Sequence, residues 1–310
     1  KNTHVVAIHG NFDDAQTGVK KMFNDKELGK ELADKGFQFS SANSINIGRL
    51  VPQVVYYVYA YANLVKNGEI ADGEKINVTV PTGNFGNILA AYFAKQMGVP
   101  IDKLICASND NKVLYDFFKT GVYDKNRPFI LTSSPSMDIL ISSNLERLIY
   151  LSTGCDAEET KKRMEELSKD GKYSVTDEMR ARMADFVGGY ADQAANAAEI
   201  KRLYDETGYM IDTHTGVASC VYHNYVKETG DTKKTVIAST ASPYKFSRSV
   251  MEAIFGSEEG KGEFELIDEM EKASGVKIPQ AIEEIRKAEI RHNRQCKPEE
   301  MEKTVSEILQ

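Results

Sequence analysis

The sequence predicts an α/β fold built on a parallel sheet. Residues 76–80 alternate apolar and polar side chains, as a strand does, and residues 87–97 follow with helical spacing. Residues 104–107 form a second short apolar run, and residues 112–119 form a second helical pattern that stops at Gly121. Strands and helices that alternate at this spacing are typical of a sheet whose strands run parallel.

The segments before this unit predict one strand and two helices. Residues 5–8 are a short apolar run, which indicates a buried strand. Val19, Met22 and Phe23 then give an apolar face at helical spacing. Residues 26–35 predict the second helix, which a glycine closes.

Residues 51–66 fit two kinds of element. Their valines and tyrosines favour a strand by propensity. A run of about 15 residues is longer than most strands and favours a buried helix. We predict a helix here.

The rest of the chain predicts mainly helices and one late strand. The predicted helices are residues 137–150, 157–169, 177–186, 191–207, 246–255, 264–273 and 280–290, and the predicted strand is residues 235–239. Residues 256–310 are highly charged, so we expect a helical tail on the surface.

Composition and charge exclude several classes of protein. The 310 residues correspond to about two domains at roughly 150 residues each. Lys and Arg number 39 and Asp and Glu number 46, so the net charge is −7, which disfavours a general nucleic-acid binder. The most apolar stretch, residues 51–65, contains Pro52 and is shorter than the roughly 20 residues of a membrane span. We therefore expect neither a nucleic-acid partner nor a membrane span.

The cysteines predict neither a metal site nor a disulfide scaffold. The four cysteines are Cys106, Cys155, Cys220 and Cys296, and they contain no Cys-x-x-Cys pair. Four thiols in a chain of this length are too few for a disulfide framework. We expect separate reduced thiols, no metal ligands and a cytoplasmic protein.

The best chemical signal is the turn between the predicted strand 76–80 and the helix after it, which reads Pro-Thr-Gly-Asn-Phe-Gly-Asn. We call residues 83–87 the anion turn. Gly83 and Gly86 would let the backbone approach an anion, and N–H groups at a helix start point towards it. The pattern is neither Gly-x-Gly-x-x-Gly nor a P-loop, and an ordinary strand-to-helix turn explains it equally well.

Two further turns carry polar groups suited to a ligand. Residues 41–49 lead small polar side chains into Arg49, whose guanidinium binds phosphate or carboxylate as a fork. Residues 239–246 place hydroxyls after a predicted strand, where ligands gather in open α/β sheets. Taken singly, the first also fits a capped helix start with an exposed arginine, and the second fits a turn closed by proline.

Other polar residues give weaker signals. His214 and His223 lie nine residues apart, which does not match a His-x-x-x-His metal pair. Asp138 stands at a predicted helix start and suits a capping role. No Gly-x-Ser-x-Gly motif is present, which argues against a serine hydrolase of that type.

Taken together, these segments resemble threonine synthase, a pyridoxal-phosphate enzyme of the tryptophan-synthase-β-like fold, in its longer microbial and fungal form. The resemblance covers most of the chain and keeps one order. Its segments are Gly10-Asn11-Phe12-Asp13-Asp14-Ala15-Gln16, Asn43-Ser44-Ile45-Asn46, Pro81-Thr82-Gly83-Asn84-Phe85-Gly86-Asn87, Ser134-Pro135-Ser136-Met137-Asp138-Ile139, Ser142-Ser143-Asn144-Leu145-Glu146-Arg147, Asp212-Thr213-His214-Thr215 and the turn at Thr240.

The resemblance implies a three-layer parallel sheet of the fold-type II pyridoxal-phosphate kind, and the conversion of O-phospho-L-homoserine and water to L-threonine and phosphate. It implies pyridoxal 5′-phosphate as cofactor and O-phospho-L-homoserine as the small-molecule partner. By resemblance, the cofactor contacts would be Gly83, Asn84, Phe85, Gly86 and Asn87, with Thr240 at the pyridine nitrogen, and the substrate phosphate would lie near Ser44, Asn46 and Arg49.

The sequence departs from the family in one respect. The resemblance implies a Schiff-base lysine in a Phe-Lys-Asp-like segment and a Ser-Gly-Asp-Thr-Gly-like loop, both upstream of Gly10, and neither motif is in this sequence. The segment most similar to the Schiff-base lysine motif contains Lys119, but it follows the anion turn and ends a predicted helix. We therefore expect no catalytic residue in this chain, and an inactive C-terminal portion of a longer enzyme.

The same resemblance implies a domain division. Residues 1–45 would be a remnant of the smaller cofactor domain, residues 46–256 the large α/β domain, and residues 257–310 a tail packed on the large domain. Two other functions stay open. One is a non-catalytic α/β module that binds a phosphorylated small molecule, and the other is a related fold-type II enzyme such as an amino-acid dehydratase.

Overall fold

The computed structural model describes residues 3–10, 12–40 and 42–309. The chain forms two compact units, one made of Lys1–Ser41 with Gln280–Gln310 and the other of Ala42–Pro279. The predicted boundary after residue 45 lies near the first division. The predicted tail, residues 257–310, is divided between the two units.

The strands are β1 Val6–Ile8, β2 Ile76–Pro81, β3 Ile101–Ser108, β4 Val122–Asp124, β5 Lys172–Ser174, β6 Phe186–Tyr190, β7 Thr235–Ile237 and β8 Arg294–Cys296. The α-helices are α1 Phe12–Asn24, α2 Lys26–Asp34, α3 Ile47–Leu50, α4 Val54–Lys66, α5 Gly86–Gln96, α6 Val113–Thr120, α7 Leu145–Ser152, α8 Ala157–Asp170, α9 Asp177–Arg182, α10 Gln193–Thr207, α11 Thr213–Thr229, α12 Ser247–Phe255, α13 Glu263–Ser274, α14 Gln280–Lys287 and α15 Met301–Ile308. Short 3-10 turns are Val51–Gln53, Pro135–Met137, Pro243–Phe246 and Pro298–Glu300.

The second unit is built on a parallel sheet with the strand order β6-β3-β2-β7. Val78 pairs with Leu104, Leu104 in turn with Phe186, and Asn77 with Thr235, all in parallel register. Every residue of β2 is buried, which is typical of a central strand covered on both faces. The prediction of an α/β fold with a parallel sheet is confirmed.

Side chains that alternate along the strands supply two apolar layers. Val78, Val80 and Leu104 belong to the core that includes residues of α4, α5 and α6. Ile105 and Ala107 belong to a second core, which contains residues of α11. Helices therefore cover both faces of the sheet, as the three-layer prediction requires.

The ambiguous segment is a helix, as predicted. Val51–Gln53 is a 3-10 turn that contains Pro52, and α4 follows it. Val54, Tyr57 and Tyr61 recur at helical spacing and are the buried residues of α4.

Two helix predictions were wrong in part. Residues 138–144 are not helical, because side chains there bond to other segments of the chain, and α7 begins only at Leu145. The helix predicted over residues 177–186 ends at Arg182, and Phe186 begins β6. Three other short strands, β4, β5 and β8, were also missed.

The first unit has a small core of its own. β1 pairs in parallel with β8, with Val6 opposite Arg294 and Ile8 opposite Cys296. The core side chains are Met22, Leu28, Leu32, Cys296 and Met301. Asn11, in the first segment of the resemblance, lies outside the described residues.

Candidate ligand-binding cleft

An open cleft of about 980 Å³ lies in the second unit. Its walls combine Ser44 and Arg49, residues 80–88 at the end of β2, Ser136, and residues 238–240 after β7. The three turns that the sequence indicated therefore converge on one cavity. Its position at the carboxyl ends of parallel strands is where ligands bind in open α/β sheets.

The anion turn presents free backbone donors to this cleft. The N–H of Thr82 makes a bond of 2.9 Å to the carbonyl of Ala107, and the chain then turns into α5. The N–H groups of Gly86, Asn87 and Ile88 have no acceptor within residues 3–10, 12–40 and 42–309. Unpaired N–H groups at a helix N-terminus form a binding site for an anion.

Phe85 holds the turn in a strained conformation. Its φ of 65° lies in the left-handed region, which costs a non-glycine residue on the order of 1–2 kcal/mol. Its ring is 1% exposed and lies against Phe118 and Phe186, at centroid distances of 6.1 and 5.6 Å. The buried ring offsets the strain, so Phe85 contributes backbone to the cleft and its side chain to the core.

Gly83 is needed because another segment passes directly behind it. A Cβ atom on Gly83 would lie well inside van der Waals contact with the carbonyl oxygen of Ser136. Ser142 Oγ also donates to the Gly83 carbonyl over 2.7 Å. The back of the anion turn is therefore packed against backbone, and its N–H groups face the cleft.

Asn144 joins two walls of the cleft. Its buried Nδ2 donates to the carbonyls of Ser44 and Asn84, each over 2.9 Å. Its Oδ1 accepts from Arg147 Nε over 3.1 Å. The polar residues before Arg49 are therefore fastened to the anion turn through one side chain.

Arg49 is the one charged side chain among the described residues that line the cleft. Its NH1 donates to the carbonyl of Ala42 over 2.7 Å, and the side chain is exposed. Asn46 is not among the lining residues. Its Oδ1 accepts from the N–H of Gly48 over 2.8 Å and caps α3, which carries Arg49.

Sequence reasoning missed Gln53 and Tyr57, which also line the cleft. Tyr57 donates its hydroxyl proton to Asn87 Oδ1, and Asn87 Nδ2 donates to Gln53 Oε1 over 3.0 Å. Burial, with the neighbouring Tyr56, raises the pKa of Tyr57 well above its ordinary value, so the hydroxyl stays a donor. These contacts join residues about thirty positions apart and have no local sequence signal.

The turn after β7 brings hydroxyls to the opposite wall. The N–H of Ala238 donates to the Thr79 carbonyl over 2.9 Å, and the chain then leaves the sheet. Ser239 and Thr240 are exposed and line the cleft. The Thr240 hydroxyl makes no hydrogen bond within the described part of the chain, so it is available to a ligand.

Asp138 does not begin a helix, so its predicted capping role was wrong. Its carboxylate is buried and accepts from Asn109 Nδ2, Asn111 Nδ2 and Thr132 Oγ1 over 2.7, 3.0 and 2.7 Å, and from the N–H of Thr132 over 2.9 Å. These bonds organise the loop that passes behind Gly83.

No lysine among the described residues lines the cleft. Lys119 lines a separate cavity of about 280 Å³ beside β6, with its Nζ 5.7 Å from the centroid of the Tyr115 ring. Lys245 is exposed, and its Nζ lies 5.5 Å from the centroid of the Phe246 ring. Neither lysine lines the cleft.

The described residues hold neither a cluster of metal ligands nor a membrane-spanning helix. Within residues 3–10, 12–40 and 42–309, no group of three or more His, Cys, Asp and Glu side chains is placed to hold a metal ion. No helix in the same residues is long and apolar enough to cross a membrane.

Comparison with known proteins shows which proteins this chain is similar to. The family model for the C-terminal part of threonine synthase matches residues 215–296. Human threonine synthase-like 1 is 42% identical over 257 residues, which are 82% of this chain and 34% of that protein. Threonine synthase of Saccharomyces cerevisiae is 35% identical over 293 residues, which are 89% of this chain and 55% of that protein.

Solved structures agree with the sequence matches. The structure of PLP-bound threonine synthase from Brucella melitensis superposes with a TM-score of 0.80 at 34% identity, over 99% of this chain and 59% of that one. Yeast threonine synthase superposes with a TM-score of 0.79 at 30% identity, over the same shares. The chain thus spans between a third and three fifths of the length of these relatives. The fold, the order of the motifs and these matches show that the chain belongs to the threonine synthase family, as a C-terminal portion of it.

Proposed function

We propose that the intact protein converts O-phospho-L-homoserine and water to L-threonine and phosphate, with pyridoxal 5′-phosphate bound in this cleft. The observation that carries the proposal is the convergence of the anion turn, Arg49 and Thr240 on one cavity. Family membership adds the reaction and the cofactor. The reaction balances, because phosphate leaves the γ-carbon of the substrate and water adds at its β-carbon.

The residues present fit the cofactor. The N–H groups of Gly86 and Asn87 have no acceptor among the described residues, so they can hold a 5′-phosphate. The packed back of Gly83 leaves this phosphate a single side from which to approach. The Thr240 hydroxyl, which has no partner among the described residues, would suit the pyridine nitrogen, and a neutral partner there would leave that nitrogen largely unprotonated. When bound, pyridoxal phosphate supplies an electron sink for carbanions formed from the substrate.

The other wall would bind the substrate. Arg49 offers a guanidinium fork to the substrate phosphate, and Ser44 offers a neutral hydroxyl beside it. Asn46 supports this site because it caps α3 and thereby fixes the backbone position of Arg49 in that helix. We infer that these groups orient the phosphate so that it can leave from the γ-carbon.

We further propose that this chain alone does not turn the substrate over. The covalent attachment of the cofactor needs a lysine amine in the cleft. No lysine among the described residues lies there, and Lys119 and Lys245 lie elsewhere. The amine would come from a segment of the intact protein that this chain does not include.

Pyridoxal phosphate titration, borohydride reduction and peptide mass spectrometry test this proposal. We expect saturable binding that pyridoxal, which lacks the phosphate, does not show, and only scattered substoichiometric labelling of lysines. Lys119→Ala is the matched control and should bind as the wild type does. Complete labelling of one lysine, or phosphate release from O-phospho-L-homoserine by this chain alone, would contradict the proposed absence of the amine.

A non-catalytic module is the second candidate, because the described residues that line the cleft include the anion turn and no lysine. The two functions differ in what the intact protein does. Threonine formation by the intact protein supports the enzyme, whereas tight binding of phosphorylated compounds without turnover supports the module.

A further inference from the structure

A buried polar cluster lies directly behind the cleft, at the start of α11. Asp212, His214 and Thr215 are 0%, 3% and 6% exposed, and the function proposed above uses none of them. Asp212 caps the helix, since its Oδ1 accepts from the N–H of His214 over 2.8 Å. A helix cap alone does not explain the other hydrogen bonds that the side chains of Asp212, His214 and Thr215 make.

His214 has a defined tautomer. The N–H of Ser136 donates to His214 Nε2 over 3.2 Å, so Nε2 carries no proton. The ring proton is then on Nδ1, which lies 3.0 Å from Asp212 Oδ1 and donates to it. The ring of Phe246, with its centroid 4.7 Å away, keeps the imidazole in this orientation.

The first branch of the cluster ends at the anion turn. The bond to His214 fixes the N–H of Ser136, and the carbonyl of the same residue packs against Gly83. Asp212 thus acts on the phosphate-binding turn through His214 and then Ser136. The distance between the Ser136 backbone and Gly83 is set by hydrogen bonds and not only by apolar packing.

The second branch ends at the opposite wall. The Thr215 hydroxyl donates to Asp212 Oδ2 in a short bond, and it is also directed at Ser239 Oγ, which accepts over 3.2 Å. One hydroxyl therefore links Asp212 to Ser239, and Thr240 follows on the same turn.

We propose that Asp212 is a positioning residue that fixes both walls of the cleft from behind: the anion turn through His214 and Ser136, and the Ser239–Thr240 turn through Thr215. This role rests on the function proposed above, because that function assigns a ligand group to each of the two walls. Burial alone would raise the pKa of Asp212, but bonds from His214 and Thr215 hold it below its ordinary range, as expected of a carboxylate that stays ionised.

A matched pair of variants at His214 tests the first branch. The amide of Asn in His214→Asn reaches where Nδ1 lies, so it keeps the donor to Asp212 and loses the acceptor for Ser136. The longer amide of Gln in His214→Gln places an oxygen near Nε2 and keeps that acceptor. We expect pyridoxal phosphate to bind His214→Asn roughly tenfold more weakly than wild type, the effect of about one lost hydrogen bond. His214→Gln keeps the acceptor for Ser136 but loses the donor to Asp212, so we expect its affinity to lie between those of His214→Asn and wild type.

Hydrogen exchange separates failure of this inference from failure of the proposed function, because it needs no cofactor. We expect faster amide exchange at Ser136 and the anion turn in His214→Asn than in His214→Gln, at equal thermal unfolding temperatures. If wild type does not bind pyridoxal phosphate, the cofactor assignment fails and exchange alone decides. Equal exchange in the two variants, or equal affinities, would overturn the positioning role.

Thr215→Val and Thr215→Ser test the second branch. Valine keeps the volume and removes the hydroxyl, whereas serine keeps the hydroxyl. We expect Thr215→Val to shift the absorption band of bound pyridoxal phosphate, with its phosphorus NMR signal unchanged, because this branch serves the wall of Thr240. Thr215→Ser should restore the band. If Thr215→Val changed the phosphorus signal and left the absorption band unchanged, Thr215 would act on the anion turn and not on the wall of Thr240, which would contradict the second branch.

Discussion

Replacing Asn144 by alanine should separate the wall of Ser44 from the anion turn. The substitution removes two bonds of 2.9 Å donated by Nδ2, to Ser44 and Asn84, and one of 3.1 Å accepted from Arg147. The Asn84 carbonyl keeps the backbone N–H of residue 144 at 3.0 Å, so only the Ser44 carbonyl loses its donor among the described residues. At about 1 kcal/mol for each bond, the free energy of unfolding should fall by about 3 kcal/mol.

Urea unfolding followed by circular dichroism measures this loss. In a thermal experiment about 3 kcal/mol corresponds to roughly 6–12 °C for a unit of 150–250 residues. Asn126→Ala is the matched control, because Asn126 donates a bond of the same length, 2.9 Å to the Asp170 carbonyl, from an exposed position. We expect the control to lose at most about 0.5 kcal/mol. A loss that small for Asn144→Ala would refute the reasoning, since it would mean that water replaces the buried bonds at little cost.

Three further perturbations have defined outcomes. Gly83→Ala should lower the free energy of unfolding by about 1–3 kcal/mol, because its new Cβ meets a backbone carbonyl, whereas Gly29→Ala, in a helix with open space, should raise it by about 0.5–1 kcal/mol; urea titration checks both signs. Arg49→Gln should weaken inorganic phosphate binding roughly tenfold by calorimetry, and Arg49→Lys should restore only part of it, because the fork is lost. Burial raises the pKa of the Cys106 thiol from 9.0 to about 12. Iodoacetamide at pH 8 should therefore label the exposed Cys155 and leave Cys106 unlabelled until the protein unfolds. The folded state keeps this proton at pH values where the unfolded state releases it, so stability should fall as the pH rises from about 9 to 12, which urea midpoints at pH 8 and 10.5 check.

The sequence allowed the central strands and the anion turn to be predicted because their signals are local. Apolar alternation over β2 and two glycines at the following helix start need no knowledge of distant residues. The same holds for Arg49, which lies on the cleft as expected. Whether these residues contact the ligands implied by the resemblance stays a prediction.

The missed elements depend on distant partners. β6 contains Gly188 and Gly189, which weaken a strand by propensity. A Cβ on Gly188 would lie 3.2 Å from the Tyr115 backbone, so the glycine serves the packing of α6 and not the strand itself. β8 is polar and forms because β1, at the other end of the chain, pairs with it. A short local stretch of sequence does not indicate pairing between strands that are so far apart in the chain.

Several segments that carry the resemblance contain residues that do not line the cleft. Their positions behind it explain what these residues contribute. Asn144, Asp212 and Asp138 do not line the cleft, yet each is buried and bonds to the backbone or side chains of another segment. Apolar packing is non-directional and tolerates small shifts, whereas a binding site needs its groups held within about 0.5 Å. Hydrogen bonds from buried side chains are directional, and a buried polar group that loses its partner costs free energy. Such bonds can therefore hold the groups of a site in place. A motif residue behind the cleft can therefore be as necessary to binding as one that faces the ligand.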